Sequence, residues 1–171
     1  METWDAISAR RNVREFSDRA IADADLDRIL EAGRRAPSSR NWQPWDFVVV
    51  RERSTLVELA KVWRAGAHVA HSAATVALIG PLLDDEMQRD WLQFDTGQAM
   101  MSMLLAAADL GIGSGHSAVQ DQDLMRSLLG VPGDRFCLAL MPLGYPATRP
   151  LVPLKAPDRR PFAEVVHRER W

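Results

Sequence analysis

Three guanidinium groups crowd into the segment Arg10-Arg11-Asn12-Val13-Arg14, which continues through Glu15-Phe16. Farther along, Ala36-Pro37-Ser38-Ser39-Arg40-Asn41-Trp42-Gln43-Pro44-Trp45 is a short polar loop rich in hydroxyls and amides and closed by prolines and tryptophans. Fixed cations beside small hydrogen-bonding groups suit a phosphorylated, flat, polar-edged ligand. Left alone, the arginines repel one another. A phosphate would offset that repulsion, each charge-assisted hydrogen bond contributing roughly 1.5–3 kcal/mol. Each motif by itself also has a plainer reading. The first is a solvated helix end whose cations favour the C-terminal dipole, and the second is a helix-to-strand turn built from turn-favouring Ser, Asn and Pro.

Two further segments could carry chemistry. Gly111-Ile112-Gly113-Ser114-Gly115-His116 lets backbone N–H groups come close to a ligand. Helix capping accounts for Gly111 and leaves Gly113 and Gly115 unexplained. Asp158-Arg159-Arg160-Pro161 is either a charged tail or a second phosphate clamp. No Walker A, HExxH or CxxC motif occurs. Gly115-His116-Ser117-Ala118-Val119 lacks the closing glycine of a nucleophile elbow. His68 and His71 are three apart, but no Cys or third His completes a metal site.

These residues must be held by one domain, because 171 residues suffice for a single core spanning 1–171. With 47% hydrophobic and 26% charged residues the balance is that of a globular protein. A net charge of -2 predicts no general attraction to nucleic acid or anionic membrane, so a basic site must be local. The single Cys137 in an apolar run fits a reducing compartment. The N-terminus lacks signal-peptide character and no apolar stretch is long enough to span a bilayer. The expectation is a soluble, cytoplasmic protein.

Hydrophobic periodicity predicts the positioning elements. Helices are expected at Thr3–Arg11 with Thr3 as cap, at Asp23–Ala36 capped by Asp23 or Asp25, and at Ser54–Trp63. A long helix lies within Asp84–Leu110 and stops at Gly111. A short one runs Asp121–Leu129, and a last helical turn spans Phe162–His167. Strands are expected at Phe47–Val50, at Ala73–Ile79 stopped by Gly80-Pro81, and at Phe136–Leu143. The stretch Met100–Ala108 is apolar almost all round and must be covered all round. In so small a chain that cover would include a second subunit. No strand–GxGxxG–helix unit exists, so a mixed α+β domain with helices packed on a small sheet is expected.

In combination and order the motifs resemble the FMN-dependent nitroreductase family. Ile7-Ser8-Ala9-Arg10-Arg11-Asn12-Val13-Arg14-Glu15-Phe16 and Ala36 through Phe47 carry most of the resemblance. Gly111-Ile112-Gly113-Ser114, Leu143-Gly144-Tyr145-Pro146-Ala147 and Arg159 through His167 complete it. The resemblance implies a three-layer α+β sandwich, with a mostly antiparallel sheet flanked by helices, in an intertwined homodimer with shared FMN sites. It implies that Arg10 and Arg159 or Arg160 hold the FMN phosphate, and that Arg11 and Asn12 hold the phosphate, ribityl chain or pyrimidine edge. It places Arg14 at the flavin N1–O2 edge and brings Pro37, Ser38, Ser39 and Asn41 from the other subunit. Ser114 and Gly115 would lie near N5 and donate a backbone N–H.

The activity so implied is reduction of a nitroaromatic, quinone or related acceptor by NADH or NADPH through FMN, in a ping-pong cycle. Alternatives on the same cradle are a flavin carrier or redox interaction protein, and flavin-modifying or deazaflavin-linked chemistry. Arg40 and Trp42 stand where many members carry smaller residues, and Trp42 would narrow the pocket or stack on a substrate. The segment between Ile79 and Gly111 holds little beyond the long helix, implying an open pocket. Trp91, Asp95 and Gln98 are candidate substrate-side residues.

Overall fold

Two apolar faces on one short sheet organise the chain, as a computed structural model covering residues 1–171 describes it. The strands are β1 (Asp46–Val50), β2 (Ala74–Pro81), β3 (Gly113–Ser114) and β4 (Arg135–Gly144). They pair antiparallel throughout, in the order β1-β2-β4-β3. Side chains alternate across a strand. Ala74, Val76 and Leu78 of β2 therefore join Met141 and Leu143 of β4 in one core, while Ala77 and Ile79 join Leu140 in another. A bulge between Leu78 and Ile79 skips Leu138 in the ladder. It turns Cys137 toward Ile79 and the second core, against strict alternation.

The first core is covered by α2 (Asp23–Arg34) and α4 (Glu86–Asp109), through Leu26, Ile29, Met103, Leu104 and Ala107. The second is covered by α3 (Arg53–Leu59), through Leu56 and Leu59, and by α5 (Gln122–Leu129), through Met125. Helices on both faces of an antiparallel sheet make the expected three-layer α+β arrangement.

Several boundaries differ from the sequence reading for local reasons. Helix α1 (Thr3–Ala9) stops before the arginines, because Arg10 turns extended at φ -60, ψ 125. Neither Thr3 nor Asp23 or Asp25 caps its helix; Glu2 and Ala22 take those places without side-chain bonds. Gly80-Pro81 does not end β2, since Pro81 pairs with Arg135 at the strand's end. The third helix tightens into a 3-10 turn at Ala60–Val62 and stops short of Trp63, which is extended, while Val62 is buried. The last helix, α6 (Phe162–Val165), is one turn in a tail whose residues are exposed from Val152 onward. Helix α4 meets expectation: Asp85 caps it by accepting from the Gln88 N–H at 2.8 Å, and Gly111 follows it at φ +70.

Candidate functional site

The arginine strip lies along the sheet edge formed by β3. The terminal amine of Met1 pairs with Asp109 at 2.6 Å, fixing α1 on the end of α4. Ala9 and Val13 then pack with Ala108 and Leu151. Asn12 bridges Ser114 in parallel, and the Val13 N–H donates to the Ser114 carbonyl at 2.8 Å. On the far side, Phe16 bridges Pro146, and the Ala147 N–H donates to the Glu15 carbonyl at 3.0 Å. The approach is close enough to require glycine. A Cβ on Gly113 would sit 2.7 Å from the Val13 side chain, and one on Gly115 would sit 2.8 Å from the Val13 carbonyl oxygen.

This docking brings Arg10, Arg11, Asn12, Arg14, Ser114, Gly115 and His116 together. None of the three arginines is in an ion pair. Arg11 spends one N–H on the Arg149 carbonyl, and burial together with the Arg149 charge lowers its pKa. Positive charge is therefore concentrated and uncompensated in a chain of net charge -2. Arg14 also borders a concave region of about 450 Å³ shared with Arg53 and His71.

Two histidines back the strip. His116 Nδ1 lies 3.0 Å from Asn12 Oδ1. An amide oxygen only accepts, so the proton sits on Nδ1 and Nε2 is left as an acceptor. His68 Nε2 donates to the His116 carbonyl at 3.2 Å. Burial first, and then the charge of Arg14, lowers the pKa of His68. Burial, Arg10 and Arg14 do the same to His116. Both rings are thus held neutral. Sequence reasoning weighed His68 only as a metal ligand with His71, and no such cluster forms; its closeness to the glycine edge comes from the sheet.

One expected donor is corrected. The Gly115 N–H is bonded to the Pro142 carbonyl at 2.9 Å, and the Ser117 N–H to the Leu140 carbonyl at 2.9 Å. Alternation along this edge leaves the N–H groups of His116 and Ala118 without a partner. A ligand approaching from outside meets those two and not Gly115.

The second motif forms a strained turn. Ser39–Asn41 is a 3-10 turn, and Arg40, Asn41 and Gln43 all have positive φ, at 54, 56 and 54. Such backbone costs of order 1–3 kcal/mol per residue and persists only where its surroundings impose it. The anchor is Asp95, fully buried on α4. It accepts from the Ser39 N–H at 2.9 Å and from the Ser39 hydroxyl at 3.2 Å. The Gln43 N–H donates to Ser38 Oγ at 2.9 Å, and the Gln43 amide donates to Asn41 Oδ1 at 3.0 Å. Asp95 is thus the turn's anchor and not a substrate-side residue; at Gln98 it is the main-chain carbonyl that accepts from the Ser102 hydroxyl at 2.9 Å.

The two motifs do not meet within one chain. The turn feeds β1 where Asp46 faces Ile79, whereas Ser114 faces Leu143, which faces Ala74 at the other end of β2. Five residue steps and three strand spacings put these corners roughly 20 Å apart. Pro37, Ser38, Ser39 and Asn41 therefore stand diagonally across the sheet from Arg10. Arg159 and Arg160 make no recorded contact with the strip: Arg159 donates to the Asp158 carbonyl, and Arg160 donates to the Glu164 carbonyl and pairs with the Glu164 carboxylate at 3.6 Å.

Known proteins share this plan. The profile of the Nitroreductase family matches residues 7–145. A chain of Archaeoglobus fulgidus, provisionally named an NADH dehydrogenase/NAD(P)H nitroreductase, is 36% identical over 170 residues, covering 96% of each chain. An NADPH-flavin oxidoreductase of Vibrio harveyi is 28% identical over 186 residues, covering 99% of this chain and 74% of that one. A solved structure of an FMN-dependent nitroreductase from Clostridium difficile superposes with a TM-score of 0.82 at 23% identity, covering 96% of this chain and 99% of the other. No helix of the fold is long and apolar enough to cross a membrane.

Proposed function

This chain belongs to the nitroreductase family, and from that premise we propose that it is an FMN-dependent oxidoreductase that draws electrons from NADH or NADPH and delivers them to a nitroaromatic, quinone or related acceptor. The observation that carries the reading is the uncompensated strip Arg10-Arg11-Asn12-Val13-Arg14 laid against a sheet edge with two free N–H groups. Its donor set fits a phosphorylated flavin: guanidinium groups with no carboxylate partner for the phosphate, and an amide and backbone N–H groups for a ring edge.

When bound, FMN supplies the two-electron chemistry, so the protein needs no acid or nucleophile of its own. Arg10 and Arg11 would hold the phosphate. Asn12 has its oxygen committed to His116 and would donate through its amide NH₂. Arg14 would place a fixed positive charge where negative charge accumulates at the N1–O2 edge, stabilisation that requires no reorganisation. The neutral rings of His68 and His116 keep further positive charge out of the site and orient Asn12. The free His116 and Ala118 N–H groups would take over from Gly115 the donor role toward the flavin.

The separation of the two motifs supports a homodimer with shared sites, in which Pro37, Ser38, Ser39 and Asn41 of one subunit complete the cradle of the other. The exposed stripe on α4, with Phe94 at 68% and Met101 at 45% exposure, and the extended tail carrying Arg159 and Arg160 provide surface for such pairing. Purification with added FMN, followed by an absorbance spectrum and mass identification of the bound cofactor, tests the proposal. A yellow protein whose Arg10→Ala variant binds FMN roughly tenfold or more weakly is expected. A colourless protein with no affinity for FMN would overturn it.

A further inference from the structure

Arg40 is an arginine without an anion. It makes no ion pair and no hydrogen bond. Its guanidinium carbon lies instead 5.6 Å from the centre of the Trp91 ring. Around it is a cleft of about 380 Å³ lined by Ser39, Arg40, Trp42, Gln88 and Trp91. That volume falls within the roughly 300–1,000 Å³ typical of small-ligand sites. The walls are two indoles, the polar groups are one cation, one amide and the Ser39 hydroxyl, and no acidic side chain lines the space.

The cation is held there at a cost. Arg40 has φ 54, ψ 26, conformational territory that an arginine enters only when the turn is imposed. The Ser39–Asp95 bonds on one side and the Gln43 bonds on the other impose it. A solvated surface arginine would gain nothing from such a turn. An arginine stacked near an indole and lacking a carboxylate is prepared to receive one, since its planar fork matches carboxylate geometry and its face matches an aromatic ring.

We propose that this cleft is a binding site for a planar aromatic carboxylate, whose ring lies against Trp91 with Trp42 as the second wall and whose carboxylate pairs with Arg40. Ser39 belongs both to this cleft and to the loop assigned to the flavin, so on the reading of the preceding subsection the bound anion is the electron acceptor. For a nitroarene acid, one NAD(P)H supplies a hydride and the medium one proton. The nitro group loses one oxygen as water and becomes a nitroso group.

Two measurements separate this inference from the flavin reading. In low-salt buffer, tryptophan fluorescence of the purified protein is titrated with benzoate and with neutral benzamide. Benzoate is expected to bind about tenfold tighter, Arg40→Gln to abolish most of that preference, and Arg40→Lys to retain part of it. In the flavin-loaded protein, the ratio of kcat/KM for 4-nitrobenzoate over 4-nitrobenzamide is expected to fall about tenfold in Arg40→Gln. Equal binding of the two probes, or a preference undiminished in Arg40→Gln, would overturn the inference even if flavin turnover is normal. A protein that binds no flavin but still prefers benzoate through Arg40 would refute the proposed activity and leave the cleft assignment standing.

Discussion

Asp95→Ala separates the turn's anchor from its chemistry. Asp95 is fully buried, and its partners are the N–H and hydroxyl of Ser39. Truncation leaves the part-buried Ser39 N–H without its acceptor, which costs roughly 1–3 kcal/mol, and removes a second hydrogen bond of about 1 kcal/mol. The sum, about 2–4 kcal/mol, corresponds to a Tm drop of roughly 5–15 °C in a chain of this size. The three positive-φ residues at 40, 41 and 43 lose what imposes them, so the turn should relax locally as well. Asp95→Asn is the control. Its amide oxygen can still accept from the Ser39 N–H and its NH₂ can donate to the hydroxyl, so most of the stability should remain. Differential scanning calorimetry reads the first effect, and limited proteolysis between residues 37 and 44 reads the second. An Asp95→Ala protein with a Tm within about 2 °C of wild type and an equally protected turn would show that Asp95 does not hold it.

Gly115→Ala would press a methyl on the Val13 carbonyl at 2.8 Å, a backbone atom that cannot swing aside. Overpacking of that kind costs about 1–3 kcal/mol, so Tm should fall by roughly 3–10 °C; an unchanged Tm would mean that the strip is not seated as described. His68 and His116 are neutral in the fold with pKa values lowered from 6.5. The unfolded chain therefore binds more protons. Their contribution is fully present above about pH 6.5 and is lost as pH falls through the folded values. A Tm profile that declines on the acid side, and flattens when both histidines are replaced by Asn, is expected. The Cys137 thiol is buried and pushed up to about 12, so a thiol reagent such as Ellman's should label it only after denaturation, and rapid labelling of the native protein would contradict its placement.

Fold class was legible in the sequence because it depends on periodicity. Apolar residues at helical spacing in α2 and continuous apolar runs in β2 and β4 announce their own elements, and most helix and strand positions were recovered to within a few residues. What failed was local. Gly80-Pro81 reads as a stop, yet a proline whose missing N–H falls at a strand's end still pairs there. Thr3 and Asp23 read as caps, yet their helices begin without a side-chain cap. Cys137 turned to the opposite face through a bulge that no alternation pattern records.

The site divides along the same line. By itself the sequence determined which groups are available: the arginines at 10, 11 and 14, the hydroxyls and amides of 37–41, and the glycines of 111–115, all readable because residue type and order are chemical facts. Only the tertiary structure decided what each group is free to do. It tied the Gly115 N–H to Pro142 and freed those of His116 and Ala118, because hydrogen bonds along an edge alternate. It buried Asp95 under Ser39, set His68 behind His116, and left Arg40 unpaired above Trp91. It also put the arginine strip and the serine–asparagine turn at opposite corners of the sheet. Distance through space is fixed by strand order, and strand order is not written in any one segment of the chain.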